Sequence, residues 1–274
     1  MSNRKDSMSK KIHDYPMDNN DWYEDDSSDT AWSNPSFIDN TNYIQTKLNK
    51  KNVNEKADIT FIGDSVIDCK AYTKAGKGTV EYFAEIYANS TYMARINDQS
   101  RDGDTIYDCI DKANQINEAT ELVVVSAGGN DLLSLMPMIQ DIDDTNLLHG
   151  LLISELDKLT IAYETMLQQW KQKNRDFLLL SVYEGNLAYN PQRFYGFDYT
   201  AKAIVSMWND RLSRIARDHD KRNSGMYDVL DLREFMSSQC YYNEIEPNDR
   251  GARRIAKHIS RYINEHNLLM GKPF

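Results

Sequence analysis

Gly63-Asp64-Ser65 places a serine directly after a short apolar run, where a strand would turn into a helix. A serine in such a turn can point its hydroxyl over the edge of a sheet, and its own backbone N–H can help to hold an oxyanion. The same three residue types also serve as ordinary turns and helix caps. Taken alone, the segment leaves a nucleophile and a purely structural turn both open.

Two later segments combine glycines with polar side chains. Residues 126–131 contain two glycines, which allow close backbone approach to a ligand, and Asn130, whose amide is a neutral hydrogen-bond donor. Asn130 or Asp131 could equally cap the helix that follows. Residues 100–105 contain Gly103, which either offers a backbone N–H to a ligand or simply turns the chain.

Short apolar runs alternate with helical patterns from residue 57 onward, and these elements must position the three segments. The runs predict strands at 58–62, 91–96, 121–126, 177–182 and 226–230, and the periodicity predicts helices at 76–89, 104–116, 147–170, 200–217 and 249–263. This alternation predicts a three-layer α/β/α fold with a five-stranded parallel sheet, of the flavodoxin-like kind. Such sheets bind ligands at the carboxyl ends of their strands, so we expect the three segments at that edge.

The three segments occur in order, each after its own strand, and in this the chain resembles the SGNH (GDSL-type) hydrolase family. The matching residues are Gly63-Asp64-Ser65, Gly103 and Gly128-Gly129-Asn130-Asp131, and the resemblance spans roughly residues 57–265. It implies that Ser65 is the nucleophile and that the N–H groups of Ser65 and Gly103 form an oxyanion hole with the Asn130 amide. It also implies a hydrolase that acts on an ester or acyl group.

The last motif of that family, Asp-x-x-His usually followed by Pro, is altered in this chain. Asn243 stands in place of the aspartate and Glu246 in place of the histidine, and Pro247 follows. A branch of bacterial SGNH-like sequences has a similar Ile-Glu-Pro block. A serine hydroxyl needs a base, and a carboxylate becomes a useful one when burial raises its pKa. We therefore expect Glu246, oriented by Asn243, to lie within a hydrogen bond or one water of Ser65.

The histidines offer no better base. All five are expected at surfaces or helix ends rather than in a loop that the fold aims at Ser65: His13, His149, His219, His258 and His266.

The pocket is expected to include Asp64 and Asp131, which flank the candidate nucleophile and oxyanion donors, and Tyr183. Tyr183 begins the loop after the fourth strand, which either lines the substrate side or is an ordinary turn.

Composition excludes several functional classes. Lys and Arg number 32 against 42 Asp and Glu, and a formal charge of −10 repels the phosphate backbone of nucleic acids. No apolar stretch reaches the roughly 18 residues of a transmembrane helix. Three scattered cysteines fit neither a disulfide framework nor a zinc site, so we expect a reducing compartment and neither a metal nor another cofactor.

Residues 1–56 are predicted to be an acidic arm, extended or loosely docked, ahead of the hydrolase-like domain at 57–274. Residues 14–39 contain eight acidic residues and no Lys or Arg, with aromatic side chains interleaved. This arm is a candidate contact surface for another protein. No apolar signal region follows the basic N-terminus, which predicts a cytoplasmic location and leaves export as an effector open.

Two functions remain open at this point. The first is an active serine hydrolase with a small-molecule, lipid or carbohydrate ester as its substrate. The second is a catalytically inactive SGNH-fold binding module that keeps the pocket without turnover. The fold does not choose among the substrates, because one fold supports many chemistries.

Overall fold

The computed structural model describes residues 59–88, 95–139, 142–171, 175–186, 198–222 and 225–266. The acidic arm predicted for residues 1–56 lies outside these described residues, as does the end of the chain after residue 266.

Five parallel strands form one sheet, as the alternation of apolar runs predicts. The strands are β1 (Ile59–Gly63), β2 (Ile96–Asp98), β3 (Leu122–Ser126), β4 (Asp176–Leu180) and β5 (Tyr227–Leu230). Their order across the sheet is β2-β1-β3-β4-β5. All of β1 and β3 is buried, because helices cover both faces of the sheet.

The described helices form the two outer layers. They are α1 (Thr79–Ala88), α2 (Ile106–Ile110), α3 (Gly129–Ile139), α4 (Thr145–Trp170), α5 (Asp198–Arg222) and α6 (Asp249–Glu265). Alternate side chains of the strands point to opposite faces, so that α2 to α5 share one hydrophobic cluster with the sheet and α1 and α6 share another.

The largest differences from the sequence-based prediction are in β2, α2 and α3. The second strand, Ile96–Asp98, shares only Ile96 with the predicted range 91–96 and ends two residues after it. Residues 91–94 of that range lie outside the described residues. The helix predicted at 104–116 ends at Ile110, and a separate 3-10 turn, Ala113–Gln115, follows it.

No range was predicted for α3, the helix that Asn130 or Asp131 could cap, because it begins at Gly129 and Pro137 lies within it. Buried Leu132, Leu135 and Ile139 hold it against the sheet at helical spacing.

The chain order of the strands reverses between β1 and β3, which is where open parallel sheets form their ligand crevice. β1 and β3 pair in register from Ile59 with Leu122 to Gly63 with Ser126. Their carboxyl ends therefore lie side by side, and the turns that follow both strands meet at this crevice.

Candidate active site

The turn that carries Ser65 depends on a close approach of two strands. Gly63 ends β1 at φ +151°, and a Cβ on it would lie 2.0 Å from the Ser126 carbonyl oxygen of β3. Only glycine fits this geometry. The Asp64 N–H donates to the same carbonyl at 3.1 Å, so the Ser65 turn is anchored on the central strand of the sheet.

The Asp64 side chain holds this turn in place through hydrogen bonds. Its Oδ1 accepts hydrogen bonds from Ser126 Oγ at 2.7 Å and from the Val66 N–H at 3.1 Å. The side chain is only 3% exposed. Burial raises the pKa of Asp64 to about 7, and the negative charge of Glu246 adds to this effect. Asp64 thus belongs to the framework that holds Ser65, and it also lines the cleft beside it.

Ser65 and Glu246 are neighbours, and each is 8% exposed. Burial is the main influence on the Glu246 carboxyl and raises its pKa, while the nearby Ser65 hydroxyl favours the charged form and opposes that rise. Asp102 raises the pKa further through its own negative charge. Oε2 of Glu246 is buried and has no hydrogen-bond partner among the described residues. A buried carboxylate with an unused acceptor therefore lies beside the serine hydroxyl.

Asn243 orients Glu246 through the backbone. Its Oδ1 accepts hydrogen bonds from the backbone N–H groups of Ile245 at 2.9 Å and of Glu246 at 2.8 Å. The Tyr183 hydroxyl donates to the Ile245 carbonyl at 2.5 Å. The turn that presents Glu246 is therefore fixed from two sides. Tyr183 was expected to line the pocket, and its residue type alone did not indicate that it also holds the Glu246 turn.

The candidate oxyanion donors belong to two connected segments. Asn130 lies in the first turn of α3, and its Nδ2 donates to the Asp104 carbonyl at 2.9 Å, which leaves the second N–H of the amide for a ligand. Gly103 precedes that carbonyl and is exposed, with φ +86°. Asp131 does not line the cleft; its Oδ2 accepts from the Ile106 N–H at 3.0 Å and so ties α3 to α2.

A cleft of about 770 Å³, counting its open mouth, begins at Ser65 and Asn130. Its walls come from α3, from the start of α5 and from the loop after β4. Half of the lining residues are apolar and non-aromatic: Val66, Leu132, Leu133, Met136, Val182, Ala201, Val205 and Ile245. Sequence analysis missed this wall, because no range was predicted for α3 and Val205 is distant in sequence.

A family profile described as the GDSL-like lipase/acylhydrolase family matches residues 61–254. The chain belongs to this family. The matched range contains the Ser65 turn, the Asn130 segment and the Glu246 turn, which the structure brings to one edge of the sheet. No curated protein matches the chain at a significant level.

Solved structures of other hydrolases resemble this GDSL-like chain in fold. A lipase from a goat rumen metagenome aligns with a TM-score of 0.55 and 15% identity, over 74% of this chain and 95% of that one. The acetyl xylan esterase AlAXEase aligns with a TM-score of 0.52 and 18% identity, over 75% of this chain and 98% of that one. At these identities the similarity shows the fold alone.

This member of the GDSL-like family has no described histidine in the lining of the cleft beside Ser65. Three of them pack on aromatic rings: His219 on Tyr227, His258 on Phe235 and His266 on Tyr262. Tyr227 is the first residue of β5, at the opposite edge of the sheet from the site. His149 is exposed on α4, and His13 lies outside the described residues.

The part of the chain that the structure describes has no group of His, Cys, Asp or Glu side chains arranged to hold a metal ion. Cys69, Cys109 and Cys240 are buried and free. No described helix is long and apolar enough to cross a membrane.

Proposed function

We propose that this chain is a serine hydrolase of ester or acyl bonds in which Ser65 is the nucleophile and Glu246 replaces histidine as the base. The observation that carries the proposal is the buried Glu246 carboxyl beside the Ser65 hydroxyl, with Oε2 unpartnered. An unsatisfied buried acceptor costs folding free energy, and a catalytic role is one recognised reason for a native protein to retain one.

The proposed reaction begins with ionised Glu246. As the Ser65 oxygen attacks the substrate carbonyl, its proton passes to the Glu246 carboxylate. The negative charge that develops on the carbonyl oxygen is held by the N–H groups of Ser65 and Gly103 and by the free N–H of Asn130. The intermediate collapses to an acyl-serine, and the leaving alcohol takes the proton from Glu246. Water then attacks the acyl-serine and gives a proton to Glu246. This second intermediate collapses to release the acid, and Glu246 returns the proton to the Ser65 oxygen, which restores the free enzyme.

Burial makes glutamate a better base than its ordinary pKa suggests. A free glutamate with a pKa of about 4.3 is too weak a base to be efficient near neutrality. Burial and the charge of Asp102 raise the pKa of Glu246 and so bring it closer to neutral pH. The group must still be ionised to accept a proton, so turnover should increase as the pH rises through the raised pKa.

One observation favours a second candidate function. The histidine of the family motif is replaced, and an inactive binding module would keep the same fold and cleft. Such a protein would hold an ester or acyl ligand beside Ser65 without cleaving it.

Paired substitutions in one turn test the proposal. Glu246→Gln keeps the shape of the side chain and removes the base, so we expect kcat for a p-nitrophenyl ester to fall about a hundredfold or more. Glu244→Gln is the matched control, because Glu244 is also buried and lies two residues away. The control should retain turnover, and Ser65→Ala should abolish it. Equal activity of Glu246→Gln and wild type would exclude Glu246 as the base.

A further inference from the structure

We infer that the cleft beside Ser65 binds an unbranched hydrocarbon acyl chain of medium length, longer than an acetyl group. This inference rests on the proposed function, since it names the acyl half of the substrate for the same serine.

The walls of the cleft are hydrocarbon on three sides. Leu133 and Met136 of α3 face Val205 of α5, and Val182 lies in the loop after β4. These four side chains are half-buried, so each keeps apolar surface that a ligand can cover. Burial of apolar surface is favourable in proportion to the area removed from water.

The hydroxyl groups of the cleft are already used within the protein. Ser126 Oγ donates to Asp64 at 2.7 Å. Ser181 Oγ donates to Asp231 at 2.9 Å and accepts from the Leu232 N–H at 2.8 Å. A sugar in this cleft would lose its hydrogen bonds to water and find few partners, which is costly. The deep part of the cleft therefore disfavours a polar group.

The charges of the cleft disfavour an anion as well. Glu184 lies at the rim with an exposed side chain, 3.6 Å from Lys202. Among the described residues that line the cleft there is no Lys or Arg. The part of a substrate held here must therefore be neutral and apolar, and an acyl chain meets both conditions.

The size of the cleft separates a longer chain from an acetyl group. The methyl of an acetyl group is too small to cover all of the apolar side chains that line the cleft, and it would leave part of their surface in contact with water. Each further methylene that the cleft buries should raise kcat/KM by about fourfold, until the chain outgrows the wall.

Hydrolysis of p-nitrophenyl acetate, butyrate and octanoate by the full chain tests this inference. We expect kcat/KM for octanoate to exceed that for acetate by at least about tenfold. Met136→Trp fills the cleft and should lower the octanoate-to-acetate ratio by more than about tenfold. Met138→Trp is the matched control, because Met138 is on the same helix but 49% exposed and outside the cleft. Val205→Trp should lower the ratio from the opposite wall if Met136→Trp does not fold.

A wild-type protein that prefers acetate would overturn the inference and leave the serine–glutamate proposal intact. If no ester is cleaved, the proposed function fails, and calorimetric binding of neutral octanamide against acetamide decides the inference. Octanamide binding that Met136→Trp weakens and Met138→Trp does not would support the hydrocarbon cleft. Equal or absent binding of the two amides would overturn it.

Discussion

In the proposed mechanism, the use of Glu246 instead of a histidine changes the energetic cost of the base that serves Ser65. A histidine base is neutral before it accepts a proton, whereas a glutamate base must be charged, and a buried charge is costly unless it is compensated. The Ser65 hydroxyl partly compensates it, and burial raises the pKa of the carboxyl. In the proposed mechanism, the serine and the glutamate therefore depend on each other: the hydroxyl lowers the cost of the buried charge, and the carboxylate accepts the proton of the hydroxyl.

Asn130→Ala should reduce turnover far more than stability. Removal of one oxyanion donor typically costs 10²–10³-fold in kcat. The lost hydrogen bond to the Asp104 carbonyl should cost only about 1 kcal/mol of unfolding free energy. Parallel measurements of kcat and of urea unfolding check this prediction.

The neighbouring substitution Asp131→Ala is the control for Asn130→Ala, because it breaks the tie to Ile106 without removing a proposed donor. It should lower stability more than it lowers kcat. Wild-type turnover in Asn130→Ala would remove Asn130 from the oxyanion hole.

The types and order of the site residues were predictable, but their partners were not. Ser65, Asn130 and Glu246 follow predicted strands or match family positions, so one edge of a parallel sheet brings them together. Asn243 was expected to orient Glu246, but its residue type did not indicate that it would do so by accepting hydrogen bonds from the backbone of the turn. The sequence cannot decide between such hydrogen bonds, because a few tenths of an ångström determine which acceptor a donor meets.

Two close approaches between elements position the site. β1 meets β3 at Gly63, and the turn before α3 meets α5 where Gly128 faces Trp208. Because α3 starts immediately after that turn, the second contact also determines where Asn130 lies. The site therefore depends on the packing of elements whose contact residues are far apart in sequence.

Gly128→Ala should destabilise the protein and displace Asn130. Gly128 has φ +111°, and a Cβ there would lie 2.8 Å from Trp208 Nε1. Strain of this kind costs of the order of 1–3 kcal/mol, before any cost of moving the indole. Urea unfolding and kcat of the variant measure both effects.

Gly150→Ala provides the opposite case for comparison. Gly150 lies within α4, and a Cβ there would meet nothing within 4 Å. Alanine should therefore stabilise the helix by roughly 0.5–1 kcal/mol. A Gly128→Ala protein as stable as Gly150→Ala would contradict the close packing of the turn against α5.

The described fold begins at Ile59, and the family match begins at residue 61. The sheet and both hydrophobic clusters are thus built from residues after the acidic arm predicted at 1–56. The existence of β1, β3 and β4 could be anticipated because each is a short apolar run. The length of β2 and the extent of α3 could not, because their sequence patterns are weak and tertiary packing holds them.

Deletion of residues 1–50 should leave the melting temperature nearly unchanged. This segment has few aliphatic residues to bury and a long acidic run. Thermal unfolding of the full and truncated chains gives the comparison. Loss of soluble protein on truncation would mean that Trp22, Trp32 or Phe37 packs on the domain.

The pH dependence of fluorophosphonate labelling tests the serine–glutamate mechanism without knowledge of the substrate. Labelling of wild type should occur at Ser65, should be absent in Ser65→Ala, and should accelerate as the pH rises through a midpoint above the ordinary range of a glutamate pKa. Glu246→Gln should be labelled about a hundredfold more slowly or less, without that rise. Labelling of Glu246→Gln at the wild-type rate, with the same dependence on pH, would show that another group activates Ser65.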